Sequence, residues 1–149
     1  GELTIGATPP SYDLETEIDK IFDISNISVS DISSKTKLFI GQILQKPPIF
    51  SAIKVKGEKL YEKARRGEKI NIKKRKITVY NFKLTKILLP KIHFIIECSK
   101  GTYIRSIAHD FGKSLNNGAH LSKLIRTKIG EFDLKDAKSI IEFENELNQ

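Results

Sequence analysis

The chain has 149 residues, of which 39% are hydrophobic and 30% charged, with one cysteine, three histidines and a formal net charge of +8. This is the size and composition of one soluble globular domain with its own core, not of a disordered chain. Apolar runs fall short of the roughly 20 residues of a membrane span, no signal peptide opens the chain, and a lone cysteine excludes an internal disulfide; we therefore expect a cytoplasmic protein. The histidines are scattered and lack cysteine partners, so we expect no metal site.

The first half of the chain predicts short elements separated by turns. In chain order we expect the end of a strand over 3–7, a proline-containing loop over 8–11, an exposed acidic stretch over 13–19, a helix over 31–37 capped by Ser30, a strand over 39–45 and a helix over 58–66. Gly67 fits the position just after that last helix.

The second half carries stronger periodicity. We expect a hairpin of strands over 77–88 and 92–98 with a bulge near Asn81, a helix over 104–115 that stops at 116–118, a loop and short helix over 118–128, a strand over 129–134 and a helix over 136–147. These elements predict an α+β fold with a mixed, largely antiparallel sheet and helices packed on it.

The positive charge is confined to one segment. Residues 48–76 hold eleven Lys or Arg and three Glu, whereas the other segments hold fifteen basic and fifteen acidic residues. A balanced body with one basic segment is typical of a polyanion binder, most often of nucleic acid. The alternative is a solvated lysine face.

The run Cys-Ser-Lys-Gly-Thr-Tyr-Ile-Arg at 98–105 joins the second hairpin strand to the following helix. Arg105 falls in the first helical turn, where the macrodipole disfavours a fixed cation by up to about 1 kcal/mol. We therefore expect an anionic partner close to Arg105, a carboxylate or a phosphate. The alternative is an arginine whose stem packs on the sheet while its head lies in water.

Several motifs in register resemble the TruB-type tRNA pseudouridine-55 synthases. They are the run at 98–105, Gly-Ala-His-Leu at 118–121 with Leu124 and Arg126-Thr127, Gln-Lys-Pro-Pro at 45–48 leading to Phe-Ser-Ala-Ile-Lys at 50–54, Leu-Tyr-Glu at 60–62, and Gly6 with Asp13. The resemblance extends along nearly the whole chain.

This resemblance implies an isomerase that converts the T-loop uridine of tRNA to pseudouridine without cofactor or metal. The target base is flipped out, a catalytic aspartate initiates glycosidic cleavage, and the uracil is rejoined through carbon. In the family that aspartate lies in a Gly-His-x-Gly-x-Leu-Asp motif, which this chain does not contain. We therefore expect residues 1–149 to be the C-terminal part of the catalytic domain, with a partial fold, inactive alone and without a separate C-terminal RNA-binding domain after Leu147.

The resemblance also implies roles for individual residues. Arg105 would pair with the catalytic aspartate and, without it, would be an unpaired cation. Tyr103 would line the uracil pocket, with a core tyrosine as the alternative, and Leu124 would form the pocket wall, with a core leucine as the alternative. Lys100 would contact phosphate, or be merely solvated. Asp13 would lie near the active cleft, or cap a turn.

Segment 48–76, here called the basic arm, coincides with the thumb-like insertion that grips the tRNA T-arm in this family. Its first candidates for phosphate contacts are Lys54, Lys56, Lys59, Lys63, Arg65 and Arg66. The resemblance also implies that the full-length protein is monomeric.

Two other functions remain open on the residues alone. One is an RNA-binding module without chemistry, favoured by the absent aspartate motif. The other is a structural or ribosome-associated basic protein, favoured by the lysine-rich arm. A simple binder has no need of an aspartate-pairing arginine at a strand-to-helix turn, so Arg105 discriminates between these functions and the synthase.

Overall fold

The computed structural model describes residues 1–55 and 57–148. In chain order the elements are β1 (Glu2–Ile5), β2 (Ala7–Thr8), β3 (Lys20–Ile21), α1 (Val29–Lys35), a 3-10 helix (Thr36–Phe39), β4 (Gly41–Gln45), β5 (Lys54–Val55), β6 (Glu58–Lys59), α2 (Leu60–Arg65), β7 (Arg75–Leu88), β8 (Lys91–Cys98), α3 (Ile104–Ser114), β9 (Ala119–Lys123), β10 (Lys128–Ile129), β11 (Phe132–Asp133), a 3-10 turn (Leu134–Asp136) and α4 (Ile140–Leu147).

Five of these strands form one antiparallel sheet in the order β4-β7-β8-β1-β9. Helices α1 and α3 supply Ile32, Ile107 and Phe111 to the core on one face of the sheet. The opposite face leaves Tyr80 and Ile95 60% exposed, as antiparallel sheets with one solvated face commonly do. The sheet and its helices therefore confirm the predicted α+β class.

Four phenylalanines form the centre of the core. Phe82 of β7 lies between Phe39, Phe94 and Phe111, with ring centroids 5.7–6.2 Å apart and mostly edge-to-face geometry. Such pairs contribute about 0.5–1.5 kcal/mol each beyond their buried area. This cluster holds the underside of α3 against the sheet and so fixes the helix that carries Arg105.

The strongly periodic segments fold as predicted. The hairpin forms β7 and β8, with a register shift between Val79 and Asn81 as expected and a second one between Leu84 and Lys86. The predicted helix over 104–115 is α3, and Asn116 ends it in the left-handed region at φ 53°. The first helix exists but begins two residues early, since Ser28, not Ser30, caps it in a capping box with Asp31.

The sequence-based prediction is wrong after α3. The loop and short helix expected over 118–128 contain a strand, β9, whose residues pair with β1. The strand expected over 129–134 is a small hairpin of β10 and β11, which turns at Gly130. β9 is specified by the exposed backbone of β1, more than a hundred residues away, and no local period reports such a partner.

The basic arm is an excursion between two neighbouring strands of the sheet. β4 ends at Gln45 and β7 begins at Arg75, and these two residues are paired partners in the ladder. Between them the arm folds into the two-stranded β5-β6 sheet and helix α2, with Leu60 fully buried. Lys56 of the arm lies outside the described residues. Because β4 ends and β7 begins side by side, the arm enters and leaves the sheet at the same end of these two strands.

Candidate active site

The turn between β8 and α3 is anchored to the neighbouring strand. Thr78 of β7 donates its backbone N–H to Ser99 Oγ at 3.0 Å, and its carbonyl accepts from Ser99 N at 2.8 Å. Thr102 Oγ1 donates to the Ser99 carbonyl at 2.8 Å, and Gly101 takes a φ of +79° that other residues rarely adopt. These bonds fix the start of α3 relative to the sheet.

Gln45 hydrogen-bonds to the backbone of Tyr103, the N-cap residue of α3. Its side-chain Oε1 accepts from Tyr103 N at 2.8 Å, and its Nε2 donates to the Tyr103 carbonyl at 3.0 Å. The next residue, Lys46, accepts a hydrogen bond from Ser106 Oγ through its carbonyl, at 2.8 Å. Tyr103 makes no side-chain cap, and the buried Gln45 amide satisfies the backbone N–H of this N-cap residue. The base of the basic arm and the start of α3 are therefore one hydrogen-bonded unit.

Arg105 meets two carboxylates. Its Nη1 lies 3.2 Å from Asp13 Oδ2 and 3.9 Å from Glu15 Oε2, with 21% of the Arg105 side chain exposed. The expectation of an anionic partner in the first turn of α3 is borne out by this geometry. The expectation that Arg105 is unpaired in this chain is wrong, because a loop far away in sequence supplies Asp13.

The loop over residues 11–16 is built to present these carboxylates. The fully buried Ser11 Oγ lies 2.8 Å from Thr16 Oγ1 and donates to the Asp13 carbonyl at 3.0 Å. Asp13 Oδ1 accepts from Glu15 N at 3.0 Å, while Oδ2 faces Arg105. The turn-capping interpretation of Asp13 agrees with the bond from Glu15 N, while its place near an active cleft stays a prediction. The stretch expected to be exposed is thus partly buried where it meets α3.

The remaining predicted pocket residues belong to three different segments: the turn before α3, the N-terminus of α3 and the segment after β9. Tyr103 is partly buried at the N-terminus of α3, and Lys100 is exposed on the turn before it. Leu124 follows β9 and is 50% exposed, so it is not the core leucine that the alternative interpretation supposed. His120, in the same motif, is buried and its Nδ1 lies 2.9 Å from the Ala7 carbonyl, which is a structural role.

The arm cations differ in how far local carboxylates neutralise them. Lys63 Nζ lies 2.8 Å from Glu58 Oε2, and Arg66 donates to both Glu58 and Glu68 at 2.8 Å. Their hydrogen bonds lower the pKa of Glu58 and of Glu68 below the ordinary value. Lys63 and Arg66 therefore hold the arm together, and Glu58 and Glu68 balance their charges within it.

Arg65, Lys59 and Lys54 have looser surroundings. Arg65 lies 5.4 Å from the centroid of the Tyr61 ring and 3.9 Å from Glu15 Oε1, with 68% of its side chain exposed. Lys59 Nζ donates to Tyr61 Oη at 3.3 Å, and Lys54 is exposed on β5. These cations are the better placed for phosphate contacts, because little has to be broken to release them.

Sequence reasoning missed three contributors to this site. In the sequence Gln45 stands out only as part of a motif, Glu15 only as part of an acidic stretch, and His109 only as a scattered histidine. His109 stacks on Tyr12, with ring centroids 3.7 Å apart and an interplanar angle of 12°. Only the spacing of His109, four residues after Arg105, signals that both lie on one side of α3.

Metal clusters and membrane-spanning helices are both absent from the described part of the chain. No group of three or more His, Cys, Asp or Glu is arranged there to hold a metal ion. No described helix has the length and apolar content that crossing a bilayer requires.

Comparison with known proteins assigns the family. The sequence profile described as "TruB family pseudouridylate synthase (N terminal domain)" matches residues 1–104. The chain is 56% identical over 147 residues to a protein from Flavobacterium johnsoniae and 44% identical over 147 residues to one from Phocaeicola vulgatus, both called tRNA pseudouridine synthase B. This chain belongs to the TruB family of pseudouridylate synthases.

The matches cover nearly all of this chain but only part of each relative. They include 99% of this chain and 64% and 63% of the length of the two relatives. Two solved structures share the fold, with TM-scores of 0.51 and 0.55 and identities of 23% and 22%. The first is titled a Cbf5-Nop10-Gar1 complex, and the match covers 81% of this chain and 27% of that chain. The second is titled an H/ACA RNP bound to a substrate RNA containing 2'-deoxyuridine, and the match covers 89% of this chain and 29% of that chain.

Proposed function

We propose that this chain forms part of a cytoplasmic tRNA pseudouridine synthase that isomerises the T-loop uridine at position 55. Family membership and the name of the relatives support the reaction class. The observation that carries the proposal is the Arg105–Asp13 pair, held at the strand-to-helix turn by the Gln45 amide. In a non-catalytic RNA binder the same contact would be a structural ion pair, and the turnover test below separates the two roles.

In this proposal Arg105 orients the catalytic carboxylate. The closest approaches to Asp13 and Glu15 are both made by Nη1, at one end of the guanidinium. A planar guanidinium has a second edge, Nε and Nη2, that can hold another carboxylate with two parallel hydrogen bonds. The catalytic aspartate, supplied from outside these 149 residues, takes that edge, where the cation keeps it ionised for attack.

The remaining candidates act on the RNA. Tyr103 and Leu124 contact the flipped uracil, and Lys100 contacts phosphate. The basic arm binds the T-arm backbone through Lys54, Lys56, Lys59 and Arg65, while Lys63 and Arg66 combine arm stability with charge. Phosphate contacts give register and affinity, whereas selectivity comes from the shape of the T-loop and the flipped base. The isomerisation is redox-neutral and requires no cofactor or metal, and the enzyme acts as a monomer.

The test is pseudouridine formation by the complete gene product on an unmodified tRNA transcript. Release of tritium from uracil C5 measures turnover, and a transcript with cytidine at position 55 is the substrate control. Arg105→Lys should lower turnover by more than 100-fold while leaving tRNA affinity within about twofold, because Lys keeps the charge but loses the bidentate fork. Lys83→Arg, a charge-conserving substitution at an exposed residue of β7 outside the basic arm, is the control and should keep full turnover.

The isolated 149-residue chain separates the alternatives. It should bind tRNA and form no pseudouridine. Turnover by this chain alone would place the nucleophile within it, with Asp13 as the first candidate, and would overturn the proposed assignment. A complete gene product that binds tRNA without turnover would instead favour the RNA-binding module.

A further inference from the structure

An aromatic stack lies next to the ion pair of the site. The rings of Tyr12 and His109 are nearly parallel, 3.7 Å between centroids, in the turn of α3 that follows Arg105. Tyr12 immediately precedes Asp13, and His109 follows Arg105 by four residues, one turn of helix. Two successive residues of the loop thus contact two residues one turn apart on α3, one through aromatic rings and the other through charge.

The backbone conformation of Tyr12 is unfavourable by itself, so the stack has a conformation to stabilise as well as area to bury. Tyr12 has a φ of +68°, and an aromatic side chain in this left-handed region costs about 1–2 kcal/mol. Its carbonyl accepts a hydrogen bond from Leu121 N at 2.9 Å, and Asp13 forms a parallel bridge with Leu121. Aromatic pairs contribute about 0.5–1.5 kcal/mol beyond their buried area, comparable with the cost of the strained backbone. The stack and this anchor together hold a conformation that Tyr12 does not prefer by itself.

The chemistry of His109 suits it to positioning and not to proton transfer. Burial, with smaller contributions from Lys113 and Lys20, lowers the pKa of His109 to about 4, so the ring is neutral at neutral pH. A neutral ring stacks without competing with Arg105 for the Asp13 carboxylate. Among the described residues its Nδ1 is buried and has no hydrogen-bond partner, so ring contacts hold it in place.

We propose that Tyr12 and His109 form a positioning pair for the active site. Their stack keeps Tyr12 in the left-handed conformation, which turns the Asp13 carboxylate toward Arg105 and thereby sets the orientation of the guanidinium. Relaxation of Tyr12 to a negative φ re-aims the next residue of the loop. The catalytic consequence rests on the proposed function, whereas the effect on the Arg105–Asp13 contact does not.

The contact is tested first, in the 149-residue chain. NMR measures the rotation rate of the Arg105 guanidinium, which the carboxylate contact slows. His109→Ala and Tyr12→Ala should raise that rate severalfold, whereas His109→Phe, which keeps an aromatic ring, should preserve the wild-type rate. Leu115→Ala, which removes partly buried core contacts at the far end of α3, controls for general destabilisation and should leave the rate unchanged. A wild-type rate in His109→Ala, or equal rates in the Ala and Phe variants, would overturn the proposal.

Turnover of the complete gene product is the second readout. His109→Ala should lower kcat about 10-fold with KM for tRNA unchanged, the size expected from misplacing a positioned group by a fraction of an ångström. In an Asp13→Asn background the same substitution should cost less than twofold, since the stack acts through Asp13. Full additivity of the two substitutions would assign His109 a merely structural role. Absence of turnover in the wild type would refute the proposed function, while the NMR result would still decide this inference.

Discussion

Replacing Gln45 by Leu tests how much the α3 start depends on one buried amide. Gln45 is 3% exposed and exchanges two hydrogen bonds, at 2.8 and 3.0 Å, with the backbone of Tyr103. Leu has a similar volume and leaves no large cavity, so the change isolates the polar contacts. The Tyr103 carbonyl keeps a second donor, Ile107 N at 3.2 Å, and the penalty therefore falls mainly on the Tyr103 N–H.

The magnitude follows from these contacts. Loss of two hydrogen bonds removes about 1 kcal/mol each, and a backbone N–H left without a partner costs about 1–3 kcal/mol. Burial of the Leu side chain returns about 1–2 kcal/mol. We therefore expect the free energy of unfolding to fall by about 2 kcal/mol.

Urea denaturation of the 149-residue chain, followed by far-ultraviolet circular dichroism, measures this loss. Gln42→Leu is the matched control, the same substitution at an exposed position of β4, and should change stability by less than about 0.5 kcal/mol. Equal midpoints and slopes for the two variants would refute the reasoning, because they would mean that Gln45 contributes no more than a surface residue.

Three further outcomes are expected. Gly112→Ala should destabilise the chain by about 2–3 kcal/mol, although Ala normally favours a helix, because the new Cβ would lie 2.6 Å from the Gly118 carbonyl carbon. Ser114→Ala on the same helix is the control and should be near neutral. A Gly112→Ala variant more stable than the wild type would contradict the close approach of α3 and β9. The pKa of His109 is lowered to about 4 in the folded state from an ordinary 6.5, so its contribution to stability is complete above pH 6.5 and is lost as the pH falls toward 4. His109→Phe should remove that part of the pH dependence. Superimposable stability profiles of the wild type and His109→Phe would refute this role of His109. Arg65→Glu should weaken tRNA binding and flatten the salt dependence of that binding without loss of stability, whereas Arg66→Glu should also destabilise the arm. An unchanged salt slope in Arg65→Glu would exclude a phosphate contact at Arg65.

Several features of this protein follow from local sequence alone. The hairpin of β7 and β8 and the amphipathic helix α3 are long enough for their periods of two and 3.6 to be unambiguous. The glycine turn between them places Arg105 in the first helical turn, and from that position its need for an anionic partner follows from electrostatics. The concentration of charge in residues 48–76 likewise identifies the basic arm without any structure.

The tertiary structure decided which residue pairs with Arg105, with the start of α3 and with β9. Asp13 reaches Arg105 across more than ninety positions of sequence, and Gln45 reaches Tyr103 across 58. β9 becomes a strand because β1 offers it an edge, and Tyr12 takes a left-handed conformation in a loop that is bonded to β9 and stacked on α3. Local pattern records what a segment can bury or cap by itself. Residues that become partners only when the sheet assembles show no local pattern, because their interaction energy arises only once both are in place.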